Sequence, residues 1–420
     1  MKKQVNFAVI GLGGRGAGLL DVLLRMEDVN IAAVCDLYQD RAENAANKVR
    51  KAKGNSPFCT LDYREIFEKC TVDGVLIATN WEYHVEIAVY AMEHGVFVAT
   101  EVGGTYQLED CWRLVDTYER TGTPLMFLEN CCYGQRELMC LNMARAGIFG
   151  EIVHCDGAYK HDLRDEVAFG RENRHYRLKH YQEHNCDNYP THDLGPIAKI
   201  LDINRGNRMV SLVSVASKSR GLCEFIRNDK KADKSLLEKG FNQGDIVTTL
   251  ITCENGETIR LTLDTTLPRI YSRDFCVHGT KGMYQEDGDY VFLDNKAKVA
   301  ALQLDGKPWR IWRNARKYAR KYDSPLWRHK STGMRKSGHG GMDYLVLRAM
   351  VASAKGETLP PIDVYDAAAW MCVTALSEKS VAESGAPQEI PDFTRGKYRS
   401  RTDSAQGKYA LPSGAVQAAD

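Results

Sequence analysis

Short apolar runs alternate with helical patterns over the first third of the chain. Residues 4–10 form a β-rich run, and a second run, NIAAVCD, ends at Asp36. The segment DGVLIATN has an uninterrupted apolar core, which is typical of a strand buried on both faces of a parallel sheet. Helical patterns separate these runs. Residues 4–128 therefore predict an α/β domain built on a doubly wound parallel sheet.

The pattern changes at about Gly150. Beyond it, apolar and polar positions alternate in several segments, and Asn-Gly and Asp-Gly dipeptides favour hairpin turns between them. These segments predict an α+β domain with a large open, mostly antiparallel sheet. A strong helical pattern at 364–384 is expected to return to the first domain, and Asp363 or Asp366 is available to cap its start.

The composition is that of an ordinary globular chain. Of 420 residues, 44% are apolar and 26% are charged, and the net charge of +1 gives no sign of a nucleic-acid or membrane partner. No apolar run approaches the roughly 18 residues of a spanning helix. The basic, aromatic-containing segment 310–336 could bind nucleic acid, but we favour a basic surface segment because the rest of the chain is not basic.

The N-terminus has two lysines and then enters a strand, without the apolar core and cleavage site of a signal peptide. We expect a cytoplasmic protein as the sequence stands, or a periplasmic or exported one if a signal was removed. The thirteen cysteines form no CxxC pair, so reduced, mostly buried thiols are expected. An open sheet face is compatible with a homo-oligomer.

A glycine-rich motif follows the first strand. Gly11, Gly13 and Gly16 form GxGxxG, in which the glycines permit a tight turn, close approach to a pyrophosphate and close helix packing. The pyrophosphate would rest at the N-terminus of the next helix. Asp36 follows at the end of the second strand, where a carboxylate binds the adenosine ribose, so NAD is favoured over NADP. Arg41 is near enough in sequence to weaken that preference.

Three stretches resemble the glucose-fructose oxidoreductase, inositol dehydrogenase and MocA superfamily. They are the glycine loop, VLIATN in the third strand, and TE after VFVA. The resemblance implies a Rossmann domain at 1–128, a substrate-binding α+β domain at 129–385 and a C-terminal extension at 386–420. Dehydrogenases of this superfamily usually have Glu-Lys-Pro after the last of these strands, whereas this chain has Glu101-Val102-Gly103. The missing lysine argues against a simple dehydrogenase.

Longer stretches resemble the NAD-dependent α-N-acetylgalactosaminidases of glycoside hydrolase family 109. They include residues 128–164, NYPTHDLGP, LPRIYSRDFCVHGTKG and DVYDAAAWMCVTALSEKSV. The resemblance implies that the sugar is contacted by Glu129, Tyr159, Arg177, Tyr189, His192 and Tyr271. It also implies cofactor contacts from Gly14, Arg15, Asn80, Trp81, His84, Glu101 and Asn130. The chain departs from the family at Asn80, where proline is usual, and at Gly103-Gly104, where Pro-Ala is common.

The mechanism implied by this resemblance differs from that of two-carboxylate glycosidases. Tightly bound NAD removes hydride from sugar carbon 3, the ketone acidifies the carbon-2 proton, the aglycone is eliminated, water adds, and the hydride returns. His192 is the candidate base for the carbon-3 hydroxyl, since histidine as a residue type, with an unperturbed pKa of about 6.5, suits proton transfer near neutral pH. Tyr159 is the candidate for the carbon-2 proton, which requires its pKa to be lowered from about 10, for which Arg177 is the candidate cation.

Other interpretations of these residues remain open. His192 could be held structurally by Asp193, Tyr159 could be an ordinary core or surface tyrosine, and Tyr271 could anchor a loop. No HExxH or comparable ligand spacing occurs, so no metal is expected. The alternatives to a glycosidase are an NAD-dependent sugar oxidoreductase of the same superfamily and a catalytically decayed protein that binds NAD and sugar.

Overall fold

The chain folds into two compact units in a computed structural model that describes residues 4–294, 311–328, 330–401 and 404–414. The first unit comprises the described residues within 1–134, 325–368 and 402–412. The second comprises those within 135–324, 369–401 and 413–420. The division of the sequence into domains at residues 128 and 385 stays a prediction.

The first unit contains a parallel sheet of six strands in the order β3-β2-β1-β4-β5-β6. The strands are β1 (Val5–Ile10), β2 (Val29–Cys35), β3 (Phe58–Thr60), β4 (Gly74–Ile77), β5 (Phe97–Thr100) and β6 (Leu125–Phe127). This is the strand order of a dinucleotide-binding Rossmann domain, and it confirms the predicted doubly wound α/β class.

Helices connect these strands, as parallel pairing requires. They are α1 (Gly14–Leu23), α2 (Gln39–Lys53), α3 (Arg64–Lys69), α4 (Trp81–Glu93) and α5 (Leu108–Thr121). The polar helix expected after Asp36 is α2, and it ends at Gly54, whose left-handed φ of 79° terminates it without strain.

The second unit contains a mixed sheet of eight strands in the order β13-β12-β11-β7-β10-β9-β8-β14. The strands are β7 (Ile152–Lys160), β8 (Met209–Ala216), β9 (Ile246–Cys253), β10 (Thr258–Asp264), β11 (Cys276–Gly279), β12 (Gly282–Gln285), β13 (Tyr290–Leu293) and β14 (Gln388–Glu389). Among these strands only β7 and β10 pair in parallel. The predicted mostly antiparallel sheet is confirmed.

Helices of the second unit lie between its strands in sequence. They are α6 (Gln135–Arg145), α7 (Arg164–Ala168), α8 (Arg177–Glu183), α9 (Thr191–Ile200), α10 (Gly221–Asn228), α11 (Leu236–Lys239) and α12 (Ala315–Tyr322). The basic segment 310–336 contains α12, and its residues 310 and 329 fall outside the described residues. All thirteen cysteines lie in the described ranges, where none forms a disulfide, and all but Cys59, Cys70 and Cys223 are buried.

The remaining helices follow in sequence and include the expected C-terminal one. They are α13 (Pro325–Arg328), α14 (Thr332–Arg335), α15 (Met342–Ala354) and α16 (Val364–Ala382). Oδ1 of Asp363 accepts hydrogen bonds from the backbone N–H groups of Tyr365 and Asp366, and Oδ2 of Asp366 accepts one from the N–H of Asp363. This reciprocal capping fixes the start of α16 near the predicted residue. Across the described ranges, no helix has the length and apolar character needed to cross a bilayer.

Helix α9 approaches strand β7 at a glycine. A Cβ at Gly157 would lie 2.7 Å from Cβ of Asp193 and 3.0 Å from Cδ1 of Ile197. Only glycine leaves room for this contact, which sets α9 directly against the middle of the strand. Tyr159 lies two residues further along the same face of β7, and His192 lies in the first turn of α9.

We expect Gly157→Ala to destabilise the second unit. The added methyl must push α9 from β7, and overpacking of this kind costs about 1–3 kcal/mol. Urea unfolding would measure the loss. Gly18→Ala is the matched control, because a Cβ there meets nothing within 4 Å and alanine favours the helix. Equal stability of the Gly157→Ala variant and the parent would contradict the close contact.

Candidate functional site

The glycine turn of the first unit is built by close backbone contacts. Gly11 has a φ of 89°, and a Cβ on it would lie 2.5 Å from the carbonyl carbon of Ala78. A Cβ on Gly16 would lie 1.9 Å from the oxygen of Gly11, so both positions exclude side chains. Helix α1 begins at Gly14, and its N-terminal N–H groups are the donors that a pyrophosphate needs.

Asp36 is tied to this turn. Its Oδ2 accepts a hydrogen bond of 2.6 Å from the N–H of Leu12, and its Oδ1 accepts one of 2.9 Å from the N–H of Tyr38. A carboxylate has about four acceptor positions, so Asp36 can also receive ribose hydroxyls. The guanidinium of Arg41 lies near the turn, 3.5 Å from where a Cβ of Gly13 would stand. The predicted dinucleotide residues are therefore brought together, and they fit NAD.

Arg15 connects several of the predicted cofactor residues through an aspartate that the sequence did not indicate. Its guanidinium forms 2.8 Å ion pairs with Glu101 and with Asp343. Oδ1 of Asp343 accepts a 2.7 Å hydrogen bond from Nδ2 of Asn130, and His339 lies 2.9 Å from Oδ2. Asp343 thus orients both Arg15 and Asn130.

The charge on Asp343 is stabilised by these partners. Burial alone would raise its pKa, but the hydrogen bond from His339 and the charge of Arg15 outweigh burial and hold the pKa well below the usual range. Asp343 is therefore ionised at neutral pH. The Arg15 side chain remains 31% exposed, so it can also meet an anionic ligand.

Trp81 and His84, two predicted cofactor residues, are buried against the backbone of the first unit. A Cβ on Gly103 would lie 2.3 Å from Cδ1 of Trp81, so the indole fills the space that a side chain at 103 would need. Glycine at 103 therefore leaves the room that the indole occupies. His84 is hydrogen-bonded to the backbone oxygen of Thr79 at 3.1 Å, and burial lowers its pKa to about 4. Asn80 precedes α4 as its N-cap residue, without a side-chain capping bond.

Glu129 is the one predicted sugar contact that belongs to the first unit. It is fully buried, and its Oε1 accepts a 2.9 Å hydrogen bond from the N–H of Cys131. This bond caps the short 3-10 turn Asn130–Tyr133. Its contact with sugar stays a prediction.

We expect Asp343→Asn to weaken NAD binding about tenfold, the effect of roughly 1.4 kcal/mol from a weakened charge-assisted hydrogen bond. The neutral amide would hold Arg15 less firmly. Calorimetric titration with NAD would measure this. Asp28→Asn is the matched control, because Asp28 pairs with Arg348 and Lys355 at the opposite ends of the strands. Unchanged affinity in Asp343→Asn would show that the aspartate does not act through the cofactor site.

The second unit gathers three predicted sugar residues into one aromatic cluster. The ring centroids of Tyr159 and Tyr189 are 4.6 Å apart, those of Tyr189 and His192 are 4.8 Å apart, and those of Tyr159 and His192 are 5.5 Å apart. All three residues are at least nine-tenths buried. Pro190, between Tyr189 and His192, is the N-cap residue of α9. Pro196 lies within the helix and has no N–H to donate to the carbonyl of His192.

Arg177 supplies a buried positive charge to this cluster. Its Cζ lies 5.1 Å from the ring centroid of Tyr189, and its Nη1 donates a 3.1 Å hydrogen bond to Oε1 of Glu166. Glu166 also lies 3.6 Å from Nε2 of His175. The carboxylate of Glu166 therefore compensates the charge of Arg177 in a setting where an isolated charge would be costly.

The pKa of Tyr159 is shifted upward, opposite to the lowering expected from the sequence. Burial raises it above the ordinary value of 10, and the charge of Arg177, which lowers it, only partly offsets this. Tyr159 is thus protonated at neutral pH. Its hydroxyl lies 3.1 Å from Nδ1 of His161, and burial together with Arg177 lowers the pKa of His161. The neutral imidazole of His161 can therefore accept the hydroxyl proton of Tyr159.

Tyr271 joins the cluster through His161. Their ring centroids are 5.3 Å apart in an edge-to-face arrangement, and the Tyr271 side chain is exposed. The sequence pattern did not indicate His161 and Glu166 as partners of Tyr159 and Arg177. His161 follows Tyr159 by two positions, so strand alternation could have found it.

Two family descriptions match the chain. "Glycosyl hydrolase 109, C-terminal domain" matches residues 133–400, and "Oxidoreductase family, NAD-binding Rossmann fold" matches residues 5–128. These two matches cover both sheets described above. The second identifies the first unit's sheet as that of an NAD-binding domain.

Individual proteins of the same family are similar to this chain over nearly its whole length. A Glycosyl hydrolase family 109 protein of Stenotrophomonas maltophilia is 38% identical, over 97% of this chain and 93% of its own length. An Alpha-N-acetylgalactosaminidase of Tannerella forsythia is 38% identical, over 94% of this chain and 87% of its own length. The fold resembles that of an oxidoreductase from Agrobacterium radiobacter solved with NAD+, L-tartaric acid and magnesium. The TM-score is 0.63 at 15% identity, covering 92% of this chain and 98% of that one.

Proposed function

This chain belongs to glycoside hydrolase family 109, and on that premise we propose that it releases terminal N-acetylgalactosamine, or a closely related hexosamine, from glycosides. The observation that carries the proposal is the packing of Tyr159, Tyr189 and His192 around the charge of Arg177. Tyrosine and histidine provide proton transfer and stacking, as a sugar that reacts at ring carbons requires. One relative with 38% identity is named an alpha-N-acetylgalactosaminidase.

The glycine turn, Asp36 and Arg15 would hold NAD in the first unit. The cofactor would supply a reversible acceptor for the hydrogen on carbon 3 of the sugar, and we propose that it stays tightly bound and is recycled. Val102 occupies the position where related dehydrogenases carry lysine, and it is 3% exposed and apolar. Proton transfer must therefore come from other side chains.

His192 is proposed to take the proton from the carbon-3 hydroxyl. An imidazole can accept this proton and return it within one turnover. Formation of the ketone makes the neighbouring C–H bond at carbon 2 acidic. Tyr189 and Arg177 would orient the ring by stacking and hydrogen bonding, as would Tyr271 at the exposed side of the cluster.

Tyr159 is proposed to act together with His161 in removing the carbon-2 proton. As that proton moves to the tyrosine oxygen, the hydroxyl proton of Tyr159 passes to Nδ1 of His161 at 3.1 Å. The pair therefore works without a free phenolate in the resting protein. Arg177 would stabilise the transient partial negative charge on the tyrosine oxygen while its own proton leaves for His161 and the carbon-2 proton arrives. Elimination of the aglycone from carbon 1 follows, and water adds to the resulting double bond.

We expect the protein to release nitrophenol from an aryl N-acetyl-α-galactosaminide with no accumulation of reduced nicotinamide. His192→Phe and Tyr159→Phe should each reduce kcat by on the order of 10² or more, as loss of a general acid or base does. Tyr63→Phe is the control, because Tyr63 hydrogen-bonds Glu86 in the first unit and is not in the cluster. Nicotinamide absorbance that grows in step with turnover would instead establish an oxidoreductase.

The role of His161 predicts a particular pH dependence. His161 must be neutral to accept a proton, and burial and Arg177 lower its pKa from the ordinary histidine value, so its protonation should reduce kcat on the acidic side of that value. The charged or titratable groups that act on it are Arg177, Glu166, Asp162 and His192. His161→Gln should lower kcat by on the order of 10² with little change in KM, and should alter the acidic limb of the pH–rate profile. His94→Gln, an exposed histidine of the first unit, is the control. An unchanged profile would remove His161 from the mechanism.

A further inference from the structure

Two neighbouring strands of the second unit carry a cluster of metal-ligating side chains. Strands β7 and β11 pair antiparallel, with Asp156 opposite Cys276 and His154 opposite His278. Directly opposite residues point to the same face of a sheet with Cβ atoms about 5 Å apart. The four side chains therefore converge without any loop, on a framework fixed by backbone hydrogen bonds.

This cluster is separate from the aromatic cluster proposed to bind sugar. Gly157 and Tyr159 face α9, and side chains alternate between the two faces of a strand. His154 and Asp156 consequently lie on the opposite face of β7. No step of the proposed glycosidase mechanism uses them.

The donor atoms are already close to one another. Nε2 of His278 lies 3.1 Å from Sγ of Cys276 and 3.3 Å from Oδ2 of Asp156, and Nε2 of His154 lies 3.1 Å from Oδ1 of Asp156. The donor atoms of Asp156, Cys276 and His278 all lie within 4.8 Å of each other. In a tetrahedral zinc site with bonds of about 2.0–2.3 Å, donors are roughly 3.3–3.8 Å apart. Small movements of these three side chains would place their donor atoms around one ion, and His154 would have to turn towards it to become a fourth ligand.

The surroundings of His154 orient it as a ligand. Its Nδ1 is 2.7 Å from Oγ1 of Thr258 on β10. Nε2 of His154 now donates to the carboxylate of Asp156. With a metal bound, Nδ1–H would instead donate to the Thr258 hydroxyl and Nε2 would offer its lone pair to the ion, which is how outer contacts fix metal-binding histidines. The thiol, imidazole and carboxylate donors are those that zinc binds in proteins.

We propose that Asp156, Cys276 and His278, with His154 as a fourth ligand, form a zinc site that links β7 to β11. On binding, the Cys276 thiol loses its proton to solvent and its sulfur bonds the ion. Before zinc binds, Arg260 forms a 2.7 Å ion pair with Oδ1 of Asp156. Its side chain is 46% exposed, so it can move into solvent when zinc takes its place.

Cobalt(II) provides a direct test, because a tetrahedral cobalt–thiolate site has charge-transfer and intense visible bands. The full-length protein, treated with a chelator and dialysed, should bind one equivalent of cobalt with both bands, and zinc should displace it. Zinc should also raise the Tm, because it binds the folded state. A parent protein with neither a cobalt–thiolate band nor a zinc-dependent Tm shift would overturn the proposal.

Variants locate the site on this sheet face. His278→Gln, at a partly exposed position that should tolerate the change, is expected to weaken cobalt binding at least tenfold, and Cys276→Ser should abolish the charge-transfer band. Cys59→Ser, at an exposed thiol of the first unit, should leave both bands unchanged. Arg260→Ala should tighten binding by removing a competing cation. Bands that survive in His278→Gln at parental affinity would show that cobalt binds elsewhere and refute the assignment.

Discussion

Close backbone contact at glycines is the constraint on which both units depend. At Gly11 and Gly16 the turn after β1 folds so tightly that no Cβ fits, and this exposes the N-terminus of α1 to a pyrophosphate. At Gly157 the same absence of a side chain lets α9 lie against β7. The first contact builds the cofactor turn, and the second brings His192 to Tyr159.

A buried positive charge organises the chemistry of the second unit. Arg177 lies over Tyr189, pairs with Glu166 and lowers the pKa of both Tyr159 and His161. Burial exceeds this effect on the tyrosine and adds to it on the histidine. The result is a protonated phenol beside a neutral imidazole, an arrangement suited to passing a proton along rather than storing a phenolate. Charge and desolvation together therefore fit the proposed relay better than a single tyrosine base.

The sequence predicted what is encoded locally. The glycine loop followed by Asp36 indicated the NAD-binding turn, and alternating runs indicated β7 to β13, because strand period and turn residues are short-range signals. The interaction of Arg15 with Asp343 could not be read this way, since 328 positions separate them and no pattern joins them. The convergence of Asp156 with Cys276 likewise depends on strand pairing across 120 positions.

The sequence also could not show which of two opposing effects, burial or the charge of Arg177, decides the pKa of Tyr159. It identified Arg177 as the cation near Tyr159, and the sign of its effect was correct. It contained no measure of how deeply the hydroxyl is buried, and burial decides the net pKa. Likewise, the sequence could not show that the indole of Trp81 fills the space beside Gly103. Both conclusions require distances between atoms that belong to different elements.

The most direct measurement is hydrolysis of the aryl glycoside in deuterated water, followed by proton NMR of the released sugar. Transient oxidation at carbon 3 followed by elimination requires the carbon-2 proton to leave and be replaced from solvent, whereas the carbon-3 hydrogen is carried away and returned. The account predicts a released sugar with deuterium at carbon 2 and protium at carbon 3. A sugar that keeps its original hydrogen at carbon 2 would contradict it, because direct displacement at carbon 1 never breaks that bond.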